Sequence, residues 1–142
     1  MVENVYFLPA FRFQYNTNVA YDPDGTLIAR YHKQHLFFEF QYDTPAEVEY
    51  IYFDTPFGRM GTFVCFDILF HDPAVTLIKE YNIDTIVFPT AWMNVLPYFS
   101  AVPFHQAFAI GMGVNLLGSN LHDPVNRFSG SGIYGSVTTA AF

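Results

Sequence analysis

The clearest pattern near the amino end is a pair of alternating apolar and polar runs on either side of DPDG. Both runs lie within residues 16–31, NTNVAYDPDGTLIARY. Pro, Asp and Gly in this arrangement are typical of a tight turn, so the segment predicts a β-hairpin. The irregular segment that follows, HKQHLFFEFQYDTPAE at residues 32–47, predicts a loop held against the body of the protein by its phenylalanines.

A second strand, turn and strand pattern follows and leads into a helix. Its parts are VEYIYF, DTPFGR and MGTFVCF over residues 48–66, and the second strand ends close to Cys65. In HDPAVTLIKEYN, residues 71–82, Asp72 is a candidate cap for free backbone N–H groups and Pro73 suits the first helical position. The apolar spacing that follows predicts a helix of about two to three turns.

The rest of the chain combines buried strands with one more helix. IDTIVFPTAW, residues 83–92, is a nearly continuous apolar run ended by Pro89, which is typical of a strand buried on both faces. Because it follows a helix, the pattern predicts a βαβ unit with parallel pairing and an α/β fold. We also predict a helix after Pro103 within residues 101–112, an inner strand at residues 113–120 and a short strand at residues 130–135.

Composition and charge narrow the choice of partner. The chain has 142 residues, of which 51% are hydrophobic and 20% aromatic, enough for one globular core. Its net charge is −7 with only six Lys and Arg, which argues against nucleic acid or an anionic membrane and favours a small-molecule substrate. No apolar run approaches the roughly 18 to 20 residues that span a bilayer. The chain by itself leaves its location unknown.

Cys65 is the only cysteine in the chain and has two interpretations. By residue type alone, a lone cysteine in an apolar strand is a small core residue. Its predicted place at the carboxyl end of a strand, just before a helix, favours a reactive thiol instead. Ligands of open parallel sheets collect at such ends, and nearby free backbone N–H groups favour a thiolate. A reactive thiolate also needs a cationic neighbour, for which Lys33 and Lys79 are the candidates.

Several segments occur together in an order that resembles a known family. RYHKQHLFFE, FDTPFGRMGTFVCFD and VFPTAWMN resemble the lysine, cysteine and strand-end motifs of the carbon–nitrogen hydrolase (nitrilase) superfamily. The resemblance covers roughly residues 14–134, and CFDILFHDPAV with the strings after it is similar to the vanin and biotinidase branch. ARYHKQHLF and FHDPAVTLIKEY look more like vanins. The implied fold is part of a nitrilase-type α-β-β-α sandwich.

The resemblance implies a catalytic role for three side chains and one backbone group. Cys65 matches the nucleophile that attacks an amide carbonyl and forms a thioester. Lys33 matches the lysine that stabilises the thiolate and the oxyanion, and it is a candidate proton donor. The N–H of Phe66 would be a second oxyanion donor. Glu39 resembles a secondary glutamate that orients the lysine; the alternative is an ordinary loop glutamate.

Other residues carry weaker expectations. Trp92 and Met93 follow a buried strand and are candidates to line a substrate pocket, with a core anchor as the alternative for Trp92. For His105 the favoured interpretation is a hydrogen-bonded structural residue. His32 and His35 either tune the environment of Lys33 or are exposed loop residues. Asn115 and Asn120 are expected to hydrogen-bond to backbone groups rather than to touch substrate. Cys65, Asp67 and His71 are residue types that bind metals, but they lack an established metal-ligand spacing.

The resemblance also implies a missing catalytic glutamate and a substrate. The family's general-base glutamate has no match upstream of Lys33, where Glu3 is the only glutamate, so residues 1–142 are expected to be a partial domain with little or no activity alone. The implied reaction is hydrolysis of the linear amide of pantetheine to pantothenate and cysteamine. The alternatives are a biotinidase-like amidase and a non-catalytic interaction module. No cofactor or metal is expected. The resemblance implies an extracellular or membrane-anchored location and a second copy as a candidate partner.

Overall fold

A β-hairpin opens the part of the chain that the computed structural model describes, residues 12–137. Its strands are β1, Thr17–Tyr21, and β2, Leu27–His32, paired antiparallel. The Asp22 carboxylate accepts hydrogen bonds from the backbone N–H groups of Asp24 and Thr26 at 3.1 and 3.0 Å and so closes the turn. The hairpin predicted from DPDG is confirmed.

A five-stranded mixed sheet forms the body of the protein. The strands along the rest of the chain are β3 (Ile51–Thr55), β4 (Gly58–Thr62), β5 (Thr85–Thr90), β6 (Asn115–Asn120), β7 (His122–Asp123), β8 (Phe128–Ser129) and β9 (Gly132–Tyr134). The sheet order is β3-β4-β5-β6-β9, and β7 pairs with β8 separately. Because β4, β5 and β6 are parallel while both outer strands are antiparallel, the predicted βαβ unit lies at the centre of the sheet.

The helices connect the parallel strands. After β4 come a short 3₁₀ helix, Cys65–Leu69, a wide turn, His71–Val75, and α1, Thr76–Tyr81. After β5 comes α2, Val102–Met112, with a proline in its first turn as predicted. Another short 3₁₀ helix, Pro124–Asn126, separates β7 from β8. None of the helices in residues 12–137 is long and apolar enough to cross a membrane.

Two local expectations are wrong in detail. Asp72 has extended backbone angles just before Pro73, but its carboxylate accepts hydrogen bonds from the hydroxyls of Tyr50 and Thr76 rather than from helix N–H groups. Strand β5 continues through Pro89 to Thr90. A proline is tolerated there because β4 leaves the ladder after Thr62, so the last residues of β5 pair only with β6.

The loop predicted at residues 32–47 is confirmed from Lys33 onward, but of its phenylalanines only Phe37 packs on the body of the protein, against Phe66. Phe38 and Phe40 are 75% and 89% exposed. Polar contacts also attach the loop: the N–H of His35 donates to a carboxylate oxygen of Asp67 at 2.7 Å. The loop is therefore fixed near the 3₁₀ helix that begins at Cys65.

The core lies between the sheet and the helices that follow β4 and β5. Phe63 and Phe88, on neighbouring parallel strands or their extensions, are fully buried with ring centroids 5.6 Å apart. Leu77 of α1 and Ile86 of β5 are also fully buried. Burying one such side chain contributes about 1.5–3 kcal/mol, so these contacts hold the carboxyl ends of β4 and β5 side by side.

Candidate active site

Cys65 lies at a sharp bend between strand and helix. Strand β4 ends at Thr62, the buried residues Phe63 and Val64 follow, and Cys65 begins the 3₁₀ helix. Its backbone has φ of 50°, in the left-handed region that residues with a side chain rarely adopt. Strained angles of this kind cluster at functional sites, where the surrounding structure holds a side chain in a required position. Cys65 is half-buried, so the thiol is accessible from the neighbouring cavities.

Asp67 braces this bend from inside. It is fully buried and accepts hydrogen bonds from the Tyr31 hydroxyl at 2.8 Å and the N–H groups of His35 at 2.7 Å and Val64 at 3.1 Å. Burial raises the pKa of the Asp67 carboxyl, although these donors partly offset the effect. One side chain thus joins β2, the loop after it and the bend that carries Cys65.

Lys33 is buried beside a carboxylate. It is 2% exposed, and its ammonium group forms an ion pair with Glu39 Oε2. The backbone N–H of Phe37 also donates to Oε2, at 3.0 Å, while Asn16 Nδ2 donates to Oε1 at 2.5 Å. Glu39 is therefore not a free surface glutamate; it fixes the end of the Lys33 side chain.

The electrostatics of Glu39 reflect two opposing effects. Burial alone would raise the pKa of the Glu39 carboxyl, but the hydrogen bonds from Lys33, Phe37 and Asn16 outweigh it and hold the pKa below its usual value. Glu39 therefore stays ionised at neutral pH. A carboxylate that already accepts three hydrogen bonds is suited to orienting Lys33 and poorly suited to accepting a further proton.

Cys65 borders two cavities of different character. The polar cavity, of about 310 Å³, is lined by Asn16, Lys33, Phe37, Glu39, Val64, Cys65, Pro89, Thr90 and Ala91. The apolar cavity, of about 250 Å³, is lined by Phe37, Cys65, Phe66, Ala91, Trp92, Met93, Val95, Phe99 and Phe128. The thiol thus lies between a site that holds charge and a site suited to the apolar part of a ligand.

The structure brings all the site residues named from the sequence to one of these cavities. Lys33 and Glu39 line the polar cavity, whereas Phe66, Trp92 and Met93 line the apolar one. The Phe66 N–H lies in the first turn of the 3₁₀ helix, where backbone donors lack an intrahelical acceptor. Glu3 lies outside the described residues.

Trp92 combines a core position with a place in the cavity wall. It is 4% exposed and stacks on Phe104 with ring centroids 5.4 Å apart. Asn120 on β6 holds its backbone, accepting the Trp92 N–H at 2.8 Å and donating to its carbonyl at 3.3 Å. Met93, by contrast, is 42% exposed at the cavity. The expected backbone role of Asn120 is confirmed.

The histidines of residues 12–137 line neither of these two cavities. His32 hydrogen-bonds to Glu49 at 2.8 Å, and His35 Nε2 lies 2.6 Å from the Asp72 carbonyl, so neither is a free loop residue. His105 is buried among aromatic rings, as its structural interpretation predicts. His71 is exposed, and within residues 12–137 there is no group of three His, Cys, Asp or Glu side chains that could hold a metal ion.

Sequence reasoning did not find several residues of the site. Asn16 and Phe37 contact Glu39 from outside the cysteine motif, and Thr90 lines the polar cavity at the end of β5. The Thr90 position carried a signal, because residues at the carboxyl ends of adjacent parallel strands converge. Asn16 carried none, since it precedes the hairpin and reaches Glu39 only through the fold.

Comparison with known proteins settles the family. The model of the family described as carbon-nitrogen hydrolase matches residues 8–107 of this chain. The chain belongs to the carbon-nitrogen hydrolase family. The fold of this carbon-nitrogen hydrolase also resembles a mutant amidase from Nesterenkonia sp. AN1 that carries an acetamide moiety on its active-site cysteine. That match has a TM-score of 0.68 and 20% identity, and covers 87% of this chain and 48% of the amidase.

Curated relatives of this carbon-nitrogen hydrolase include pantetheinases and biotinidases. Pantetheinase from Mus musculus is 61% identical over 89% of this chain and 25% of its own length. Biotinidase from Mus musculus is 52% identical over 87% of this chain and 24% of its own length. The chain therefore spans about a quarter of the length of the relatives it matches.

Proposed function

We propose that this chain supplies the nucleophile and its lysine to an amidase that hydrolyses the linear amide of pantetheine, releasing pantothenate and cysteamine. The observation that carries the proposal is the position of Cys65, at a strained bend between the cavity with the Lys33–Glu39 pair and the apolar cavity. A thiol beside a buried cation has the requirements of a cysteine nucleophile.

The proposed reaction has two steps. In the first, Cys65 Sγ attacks the amide carbonyl carbon, the C–N bond breaks, and the amine leaves with the thiol proton while a thioester forms. In the second, water attacks the thioester, the C–S bond breaks, and the products are a carboxylic acid and the restored thiol. Negative charge develops on the carbonyl oxygen in both steps, where the Lys33 ammonium and the Phe66 N–H would stabilise it.

Glu39 would act as a positioning residue for Lys33. The ion pair and the donors from Asn16 and Phe37 fix the carboxylate, which in turn fixes the ammonium beside the cavity. Among residues 12–137, Glu39 is the only carboxylate that lines these cavities. Because its pKa is lowered, we do not assign to it the role of general base that the family uses, and we expect the 142-residue chain to turn over slowly by itself.

The identity of the relatives favours pantetheine over a biotinyl amide. Mouse pantetheinase is 61% identical and mouse biotinidase 52% identical over nearly the same share of the chain. A biotinyl amide is the second candidate substrate. The proposal includes an extracellular or membrane-anchored location and places residues 1–142 in one carbon-nitrogen hydrolase domain.

A thiol-labelling experiment tests the paired role of Cys65 and Lys33. We expect iodoacetamide to alkylate Cys65 rapidly at neutral pH, and Lys33→Ala to slow alkylation about tenfold or more, because the thiolate loses its buried cation. The measurement is the second-order rate constant from intact mass. Lys79→Ala, on the exposed face of α1, is the matched control and should react like the wild type. Equally slow labelling in all three proteins would favour a non-catalytic interaction module.

Incubation with substrate tests the reaction itself. Mass spectrometry should detect a pantothenoyl thioester on Cys65 after exposure to pantetheine, with release of cysteamine in equal amount. Cys65→Ala should give neither product. Acylation by a biotinyl amide in preference to pantetheine would replace the substrate assignment, and cysteamine release by Cys65→Ala would exclude Cys65 as the nucleophile.

A further inference from the structure

Thr90 has a hydroxyl group that the catalytic proposal does not use. It is the last residue of β5, and its Oγ1 is buried with no hydrogen-bond partner in residues 12–137. A buried hydroxyl without a partner costs free energy, and such groups are uncommon in folded proteins. Thr90 lines the polar cavity, so rotation of its side chain would bring the hydroxyl to a ligand there, which could supply the missing partner.

Thr90 and Cys65 lie at the same edge of the sheet. In the parallel ladder of β4 and β5, Thr62 lies opposite Val87. Cys65 and Thr90 each follow this pair by three residues on their own chain segments. Because parallel strands end at the same edge of a sheet, both residues lie at the edge where the polar cavity opens.

The polar cavity has donors for a carbonyl oxygen, and besides Thr90 the side-chain oxygens among the residues that line it are those of Asn16 and Glu39. Lys33 can only donate, and both carboxylate oxygens of Glu39 accept hydrogen bonds within the protein. A secondary amide presents an oxygen that needs donors and an N–H that needs an acceptor. The Thr90 hydroxyl can accept, and its partner is missing among the described residues.

We infer that Thr90 Oγ1 accepts the N–H of the scissile amide and so holds the leaving nitrogen beside Cys65. This inference rests on the proposed amidase function and adds a residue that discriminates amides from esters. After the amine departs, water must attack the thioester from the position that the nitrogen held. The same hydroxyl would then hydrogen-bond that water, so Thr90 serves the leaving-group position in both steps.

Binding to an inert variant tests the inference without requiring turnover. In a Cys65→Ala background, both pantetheine and the ester that has oxygen in place of its scissile N–H remain intact. We expect calorimetry to show that the amide binds about tenfold more tightly than the ester, because only the amide has an N–H to donate to the buried hydroxyl oxygen. Adding Thr90→Val should abolish this preference, whereas Thr90→Ser should keep it.

Thr85→Val provides the matched control. Thr85 begins the same strand at the end remote from the cavity, so this substitution should leave the amide-to-ester ratio unchanged. The same ratio with and without the Thr90 hydroxyl would overturn the inference and leave the amidase proposal standing. Failure of both ligands to bind in the Cys65→Ala background would overturn the proposed substrate and this inference with it.

Discussion

At the scale of single residues, His105 is a buried histidine packed among aromatic rings. It is 1% exposed, and its ring lies 5.3 Å from the ring centroids of Phe88, Trp92 and Tyr134. Burial lowers the pKa of His105 to about 4, from 6.5 for an ordinary histidine. It is therefore neutral at physiological pH and belongs to the packing behind Trp92, one wall of the apolar cavity.

This burial predicts a pH-dependent stability. Above pH 6.5 His105 is neutral in both the folded and unfolded states, so it adds no pH dependence. Below pH 6.5 the unfolded chain binds a proton first, and the free energy of unfolding should fall until about pH 4, by about 3 kcal/mol in total from this group. Urea unfolding at a series of pH values from 7 to 4 measures the loss.

His105→Leu should remove that part of the pH dependence. Carboxyl groups with lowered pKa, such as Glu39, also lose stability on acidification, but they are present in both proteins. The difference in slope between wild type and variant therefore reports His105. His122→Gln, at an exposed position, should keep the wild-type slope. Identical slopes for wild type and His105→Leu would contradict the assignment.

At the scale of elements, the 3₁₀ helix Cys65–Leu69 is joined to the hairpin through Asp67. The residues that it contacts, Tyr31 and His35, lie 36 and 32 positions away in the sequence. The sheet brings Cys65 to its edge, and the hydrogen bonds of Asp67 fix the bend at Cys65 relative to the segment that carries Lys33. Position of the two catalytic candidates therefore depends on one buried carboxylate.

Asp67→Ala should both destabilise the protein and lower the reactivity of Cys65. Three donors, two of them buried, would lose their acceptor, which we expect to lower the free energy of unfolding by about 3 kcal/mol or more. Alkylation of Cys65 should slow because the Lys33 segment is no longer tied to the bend. Urea unfolding and the iodoacetamide rate measure the two effects.

Asp54→Ala is the control for this brace. Asp54 pairs with Arg59 on the exposed part of the β3–β4 hairpin, where solvent screens the interaction. We expect little change in either stability or alkylation. If Asp67→Ala behaved in the same way, the brace would have no role in positioning Cys65.

At the scale of the whole molecule, aromatic side chains divide between core and surface. Phe63 and Phe88 are fully buried, whereas Phe38 and Phe40 in the loop after β2 are 75% and 89% exposed. The loop carries these rings outward while Phe37 packs on Phe66, with centroids 4.9 Å apart, beside the site. An exposed aromatic surface thus adjoins the candidate active site.

Phe38→Ser with Phe40→Ser should change association more than stability. Neither ring contributes to the core, so the free energy of unfolding should stay within about 0.5 kcal/mol of wild type. Any self-association of the wild type, measured by sedimentation velocity, should be weaker in the double variant because apolar surface is removed. Phe63→Ala, for comparison, should cost about 3–5 kcal/mol. A large loss of stability in the double variant would show that these rings are buried in the folded protein.

Much of the fold could be predicted because its signals are local. DPDG specifies the first hairpin, the buried run before Trp92 specifies a central strand, and the helix after Pro103 follows from its own spacing. Pro89 misled the prediction of the strand end. Whether a proline is tolerated depends on which neighbouring strand remains paired, and local spacing does not contain that information.

The sequence by itself determined the turns, the parallel βαβ order and, through its motifs, the residues to examine: Cys65, Lys33 and Glu39. Only the tertiary structure decided that Asn16 holds Glu39, that Asp67 braces the bend, and that the Thr90 hydroxyl is buried without a partner in residues 12–137. The physical reason is the separation along the sequence over which each interaction acts. Turn and helix preferences act between near neighbours, whereas these contacts join distant segments whose relative positions exist only after the sheet and its core have formed.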